Sequence, residues 1–151
     1  MRPIRLSLQA IGPFATTEVV DFRSALETGL FGIYGQTGAG KSTLFSAMSF
    51  ALFGAPPKTD QEPRSLRSDH SAPDLPTEVE FVFELGTKTY LIRRRQAQER
   101  PKARGEGTTD DAAEASLFDV TGIPVDTLGP SQSGRVIEEK KVSVVGREVE
   151  A

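Results

Sequence analysis

The residues best suited to chemistry are the glycines, lysine and serine of residues 35–42, which read GQTGAGKS. Their spacing fits the pattern G-x-x-x-x-G-K-[ST] at every fixed position. Gly38 and Gly40 can adopt backbone angles that other residues disfavour, so successive amide groups can turn inward around phosphate oxygens. Lys41 supplies a mobile cation for the β- and γ-phosphates, and the Ser42 hydroxyl suits Mg²⁺. The stretch therefore predicts a nucleotide-binding loop.

Two elements must position this loop. The apolar run at residues 30–34 predicts a buried strand before it, and a stripe of Leu44, Met48 and Leu52 predicts a helix after it. Gly54 is a natural C-terminal end for that helix. Strand, glycine-rich turn and helix are the context that a phosphate-binding loop requires. The predicted nucleotide contacts are Gly35, Gln36, Thr37, Gly38, Ala39, Gly40, Lys41, Ser42 and Thr43.

Composition limits the other kinds of site. The 151 residues include no cysteine and one histidine, His70, which excludes disulfides, thiolate metal sites and a His-based zinc site or triad. The net charge of −3 argues against a chain that binds nucleic acid over its whole surface. No apolar run approaches the roughly 20 residues that a membrane span needs, and the first residues resemble no signal peptide. We expect one cytoplasmic domain, or a piece of one.

Strands are also predicted on both sides of the loop. Ile4, Leu6 and Leu8 alternate with polar residues, and after a Gly-Pro turn residues 17–22 form a second candidate strand. Residues 55–76 contain five prolines and predict an irregular connection. Two further strands, at residues 78–85 and 89–95, predict an antiparallel hairpin that ends in three arginines.

This combination of hairpin, phosphate loop and Arg-ended hairpin resembles the N-terminal lobe of the SbcC family over about residues 2–95. These proteins are DNA-repair ATPases related to the SMC proteins, with ABC-type heads. The resemblance implies an α/β P-loop NTPase fold, namely an ABC-type N-terminal lobe with an antiparallel β-hairpin subdomain beside the P-loop strand and helix. Residues 1–151 would form one such lobe, without the coiled coil and the C-terminal lobe.

The resemblance also implies cofactors and partners. ATP and Mg²⁺ would bind at the loop, with Ser42 on the metal. In the complete protein, ATP hydrolysis would open and close a dimer of heads in double-strand-break repair, whereas the isolated lobe would bind nucleotide weakly and hydrolyse little. The implied partners are its own C-terminal lobe, a second head, an SbcD-type nuclease subunit and double-stranded DNA ends, with no membrane. The implied location is the cytoplasm, in association with the nucleoid.

Further contact residues follow from the same resemblance. Phe14 lies in a turn that the family places near the base and ribose, and Arg64 and Arg67 lie in a connection that approaches the nucleotide. A solvated loop is the alternative for that connection. The basic run Arg93, Arg94 and Arg95 either contacts DNA phosphates, which requires no sequence preference, or forms a solvated edge that discourages aggregation.

The later residues carry weaker signals. Residues 105–114 are small, polar and acidic and predict a flexible hairpin tip. Residues 116–120 and 135–140 predict strands, residues 122–134 a loop, and residues 141–151 a helix.

No catalytic residue is predicted, because no apolar strand ends in a convincing acid. The short runs before Asp21 and Asp119 are poor candidates. Residues 119–122 match D-x-x-G, but the chain contains no asparagine for the guanine-reading N-K-x-D motif, which disfavours a GTPase. Two other functions stay open: an ATP-gated, SMC-like chromosome-organising or DNA-binding head, and a P-loop kinase for small molecules.

Overall fold

The computed structural model describes residues 1–27, 29–55, 66–102, 106–129 and 134–139. Its elements in chain order are β1 (Arg2–Ile11), β2 (Phe14–Asp21), α1 (Arg23–Leu26), α2 (Lys41–Phe53), β3 (Glu78–Leu85), β4 (Lys88–Arg95), β5 (Gln98–Pro101), β6 (Thr108–Asp111), β7 (Glu114–Asp119) and β8 (Arg135–Glu139).

Six of the strands form one antiparallel sheet in the order β2-β1-β3-β4-β7-β8, and β5 pairs with β6 in a separate ribbon. Strand β1 lies inside the sheet because both of its edges are paired: Leu6 lies opposite Val20 of β2 and opposite Phe81 of β3. Leu6 and Leu8 are completely buried, as the alternation of β1 predicts.

Helix α2 covers one face of this sheet. Phe81 and Phe83 of β3 and Ile92 of β4 belong to the same buried cluster as Ala47 and Ala51 of the helix. Small residues at positions 47 and 51 lie about one helical turn apart on one face, which lets the helix backbone approach the strands closely. The helix that the sequence predicts is thus confirmed.

The opposite face of the sheet has a smaller apolar cluster. It includes Val82, Leu91 and Phe118 from three neighbouring strands, and Leu128 from the loop after β7 packs onto them. Arg5 fastens this loop by donating to the carbonyl of Val125 at 2.8 Å. The sheet is therefore covered on both faces within the described residues.

Most of the predicted strands are confirmed, including those at residues 78–85, 89–95, 116–120 and 135–140. The predicted flexible tip at residues 105–114 is wrong in its second half, because residues 108–111 pair with β5 and β7 begins at Glu114. The helix predicted at 141–151 lies outside the described residues. No helix among the described ranges is long and apolar enough to cross a membrane.

The strand predicted at residues 30–34 is wrong. This segment has neither helical nor strand structure, and Leu30 and Tyr34 are 86% and 93% exposed. A continuous apolar run becomes a strand when neighbours pair with its edges and cover both its faces. No described strand runs beside this segment, although Ile33 packs against the main core and the rings of Phe22 and Phe31 lie 5.6 Å apart.

Candidate nucleotide-binding site

The glycine-rich loop has the backbone geometry that its sequence predicts. Gly38 and Gly40 have φ angles of 85° and 89°, in the left-handed region that glycine favours. Gly40 is the N-cap of α2, and its carbonyl accepts the first helical hydrogen bond, from the amide of Leu44 at 3.2 Å. Neither an acidic residue in the first turn nor a side chain at the N-cap neutralises this helix end. The positive end of the helix dipole is therefore directed at the loop.

The side chain of Lys41 folds back over the loop. Its ammonium donates to the carbonyl of Gly35 at 2.6 Å and to that of Gln36 at 2.7 Å. The amide of Ala39 also donates to the Gln36 carbonyl, at 3.2 Å, and closes the turn. An ammonium carries three N–H donors, so two bonds to carbonyls leave capacity for a phosphate oxygen.

These residues fit a magnesium–nucleoside triphosphate. The ammonium of Lys41 lies against the loop, and Ser42 is exposed in the first turn of α2, where its hydroxyl is accessible. A Cβ on Gly38 would meet no atom within 4 Å, so the space beside the loop is open at that point. A phosphate group approaching there would find a cation, a hydroxyl and a helix N-terminus together.

The turn between β1 and β2 supports the loop from behind. A Cβ on Gly40 would lie 2.5 Å from Cζ of Phe14 and 3.0 Å from Cγ of Pro13, so the aromatic ring packs directly on that glycine. A Cβ on Gly12 would likewise lie 2.9 Å from Cγ2 of Thr43. The structure thus brings the predicted contact residue Phe14 to the phosphate loop, and it adds Pro13, which the sequence alone did not single out.

Arg67 organises its own connection. Its guanidinium donates to the carbonyls of Leu75 and Ala72, both at 2.8 Å, and to the Thr77 hydroxyl at 2.9 Å. These bonds hold residues 67–77 together at the start of β3. The nucleotide contact predicted for Arg67 stays a prediction, and the one for Arg64 falls outside the described residues.

The three arginines that end β4 point to two different faces of the sheet. Arg93 pairs with Glu80 at 2.5 Å and lies 5.6 Å from the centre of the Phe118 ring, and Arg95 pairs with Glu78 at 3.0 Å. Acids of β3 thus compensate these two charges on the outer face.

The side chain of Arg94 is directed to the opposite face, toward α2, and is 1% exposed. DNA contact by this run stays a prediction, and Arg93 and Arg95 are the members whose side chains reach the surface.

The acids near strand ends are occupied locally. Hydrogen bonds from Arg23 hold the pKa of the Asp21 carboxyl below its usual value, and hydrogen bonds from Thr121 do the same for the pKa of Asp119. Among the described residues, no group of three or more histidine, aspartate or glutamate side chains could hold a metal ion. Within the described ranges, Asp21 and Asp119 at the strand ends therefore engage in local hydrogen bonds.

Comparison with known proteins agrees with this geometry. The chain matches the AAA domain family over residues 5–130. It belongs to the AAA domain family.

Among curated relatives, the SbcC subunit of the SbcCD nuclease from Vibrio cholerae serotype O1 is 45% identical over 117 residues, which are 78% of this chain and 12% of that protein. The SbcC protein of Lactococcus lactis is 42% identical over 117 residues, or 78% of this chain and 11% of the relative. That of Treponema pallidum is 47% identical over 95 residues, or 62% and 9%. The resemblance to the SbcC family is thereby confirmed, and the chain spans at most 12% of the length of these relatives.

Proposed function

We propose that this AAA domain chain is the N-terminal, ATP-binding lobe of the ATPase head of an SbcC-type protein. The observation that carries the proposal is the Lys41 ammonium held at 2.6 and 2.7 Å by loop carbonyls, beside two glycines with left-handed φ angles. The similarity to SbcC proteins of several bacteria supports the choice of family.

The roles of the loop residues follow from their positions. Backbone amides of residues 38–43 would surround the phosphates, Lys41 would bind the β- and γ-phosphate oxygens, and Ser42 would hold Mg²⁺. Mg²⁺ held there would offset the negative charge of the phosphates. Phe14 would place an aromatic edge near the base or ribose, since its ring packs on Gly40 at the helix N-terminus.

Hydrolysis is proposed for the complete protein. The strand-end acids Asp21 and Asp119 are engaged in local hydrogen bonds, so we propose that the catalytic groups come from a C-terminal lobe and a second head. ATP bound between two heads would favour the closed dimer, because the γ-phosphate makes contacts that exist only in that state. The complete protein would form a long coiled coil between its lobes.

An exposed apolar surface supports the idea of a missing lobe. Leu30 and Tyr34 beside the loop are 86% and 93% exposed, and Phe45 and Phe53 of α2 are 57% and 53% exposed. Large apolar side chains with this much exposure suit burial against another part of the protein. We assign this surface, formed by residues 30–34 and the outer side of α2, to the C-terminal lobe, whose strands would also pair with residues 30–34.

The partners come from the family. An SbcD-type nuclease partner and double-stranded DNA ends are proposed because the relatives are named as part of the SbcCD nuclease. In this proposal, ATP-driven opening and closing of the heads regulates the nuclease during double-strand-break repair. Phosphate contacts from Arg93 and Arg95 are proposed on the outer face of the sheet, where exchange of an intramolecular carboxylate for a DNA phosphate keeps each guanidinium paired.

The direct test is titration of MgATP against the full-length protein carrying this chain. Lys41→Ala removes the ammonium and should raise the Kd by roughly 10- to 100-fold, because a charge-assisted bond to phosphate of about 1.5–3 kcal/mol is lost. Lys88→Ala removes an equal charge from the exposed start of β4 and serves as the matched control. Equal Kd values for the unsubstituted protein and Lys41→Ala would refute the proposal.

A further inference from the structure

The most unusual side chain outside the phosphate loop is Arg94, a cation buried against the end of the helix that follows the loop. Its side chain is 1% exposed. Its Nε donates to the carbonyl of Ala51 at 3.0 Å, and its Nη2 donates to that of Leu52 at 3.5 Å. Both carbonyls belong to the last turn of α2, where helix carbonyls lack helical partners.

Burial of this guanidinium is costly. Burial lowers the pKa of Arg94 to about 10, and no carboxylate of the described residues offsets the effect. Its Nη1 also has no hydrogen-bond partner among the described residues. The compensation that the structure does offer is the negative end of the α2 dipole together with the two carbonyls. At neutral pH the group is still charged, so the contact with the helix end is a charge-assisted one.

Gly54 makes this close approach possible. It ends α2 with a φ of 79°, and its amide donates to the carbonyl of Phe50 at 2.8 Å. A Cβ at this position would lie 3.1 Å from Nη1 of Arg94. The helix therefore ends in a residue that both permits the left-handed turn and leaves room for the guanidinium.

We propose that Arg94 is a positioning residue for the nucleotide site: it anchors the C-terminal end of α2 to β4 and thereby fixes the helix whose N-terminal end carries Lys41 and Ser42. The inference rests on the proposed function, because it assigns Arg94 an effect on ATP affinity. It also separates Arg94 from Arg93 and Arg95, which pair with acids on the other face of the sheet.

The anchor acts through the rigidity of the helix. The 13 residues of α2 span about 20 Å at 1.5 Å per residue. Besides Ala47 and Ala51, the buried cluster contains Leu44, Phe50 and Leu52 of the helix, and this apolar packing holds the helix on the sheet. The hydrogen bonds from Arg94 add a directional restraint at its C-terminal end. A guanidinium that donates to two carbonyls fixes one end of this rod. Release of that end changes the tilt and displaces the amides and the ammonium that surround the phosphates.

The test compares MgATP affinity in the full-length protein with Arg94→Met, Arg94→Lys and the control Arg2→Met, which removes an exposed guanidinium that pairs with Glu84 at 3.3 Å. Titrations are made at a temperature where circular dichroism shows each variant to be folded, since a merely structural role lowers the melting temperature and leaves the Kd of the folded protein unchanged. Arg94→Met should raise the Kd by about tenfold, as a displaced binding group does. Arg94→Lys keeps the charge without the planar fork and should raise the Kd by about threefold. Arg2→Met should stay within about twofold.

A second readout follows the loop itself. The amide resonances of Gly38 and Gly40 should shift in Arg94→Met and Arg94→Lys without nucleotide and stay in place in Arg2→Met. If Arg94→Met does not fold, Arg94→Lys decides the question with the same two measurements. Tight binding by the unsubstituted protein with an unchanged Kd in every folded Arg94 variant would overturn the inference. Absence of binding by the unsubstituted protein would instead refute the proposed function.

Discussion

The alternating pattern of strand β1 and the short apolar run at residues 30–34 both predict strands, yet the structure treats the two regions in opposite ways. Strand β1 is paired along both edges, and Leu6 and Leu8 are completely buried. The other segment forms no strand, and Tyr34 is 93% exposed. The difference lies in the neighbours: β1 finds both of its partners within the described chain, whereas residues 30–34 do not. An apolar segment therefore forms a strand only where neighbouring strands are present to pair with its edges.

The largest expected effect tests the sheet that contains β1. Phe81 of β3 is completely buried and stacks on Phe83 with ring centres 5.3 Å apart. Phe81→Ala should lower the free energy of unfolding by about 3–5 kcal/mol, because it leaves a cavity between the sheet and α2. Val19→Ala on β2, where the side chain is 59% exposed, should stay within about 0.5 kcal/mol. Denaturant unfolding measures both, and equal losses would show that the sheet is not the stabilising core.

The next effect tests the junction between the two regions, where the turn after β1 supports the phosphate loop. Gly40→Ala places a methyl group 2.5 Å from the Phe14 ring at a φ of 89° and should cost about 3 kcal/mol of stability through strain and overpacking.

The matched control for this clash is Gly38→Ala. It has a similar φ of 85° with open space around the new methyl group, so it should cost only the 1–2 kcal/mol or so of backbone strain. Thermal unfolding compares the two variants, and Phe14→Ala should relieve part of the loss in Gly40→Ala. Equal losses at both glycines would mean that the ring does not buttress the loop.

A smaller effect tests the exposed segment at residues 30–34. Tyr34→Ser should change the stability of the 151-residue chain by less than about 0.5 kcal/mol, because the ring is almost fully exposed. In the full-length protein the same change should cost about 2 kcal/mol or more, since a covered aromatic side chain loses its buried area. Unfolding of both proteins by denaturant distinguishes the two cases. An equally small change in the full-length protein would contradict the proposal that the C-terminal lobe covers this apolar surface.

The smallest effect concerns an ion-pair network at the end of β2. The guanidinium of Arg23 joins Asp21 to Asp126, with a 2.7 Å contact to the latter, and lowers the pKa of both carboxyl groups. Because the folded-state pKa values are depressed, the stabilisation is present above the usual value of 3.8 and is lost as the pH falls through the folded values. Arg23→Gln should therefore lower Tm slightly at pH 7, and its difference from the unsubstituted chain should shrink between pH 5 and pH 3. A difference that does not depend on pH would contradict the ionic origin.

Local patterns in the sequence predict much of this fold. Alternation along β1 and β3 predicts strands that the structure confirms, since this pattern requires only that one face of the strand is buried. The spacing of glycines and lysine predicts the phosphate loop with the correct backbone angles at Gly38 and Gly40. These features depend on contacts within a few residues, or only on the burial of one face of a strand by some part of the protein.

Features that depend on distant neighbours were harder to predict. Residues 30–34 form no strand because no described strand pairs with them, and a local apolar pattern does not reveal this. The packing of Phe14 on Gly40 joins two segments that only the folded sheet brings together. The inward direction of Arg94 did carry a signal, because it shares its side of β4 with the buried Ile92. Three consecutive basic residues suggest a single exposed patch. In a strand, however, successive side chains point to opposite faces, so Arg94 points away from Arg93 and Arg95.

The measurement that tests the account most directly is ATP turnover by the 151-residue chain and by the full-length protein under the same conditions. The account predicts turnover by the full-length protein, its loss in Lys41→Ala, and little turnover by the 151-residue chain, because this chain supplies the phosphate-binding groups and the rest of the head supplies the catalytic ones. Turnover by the 151-residue chain at the full-length rate would contradict the account and would place a complete catalytic site within these residues.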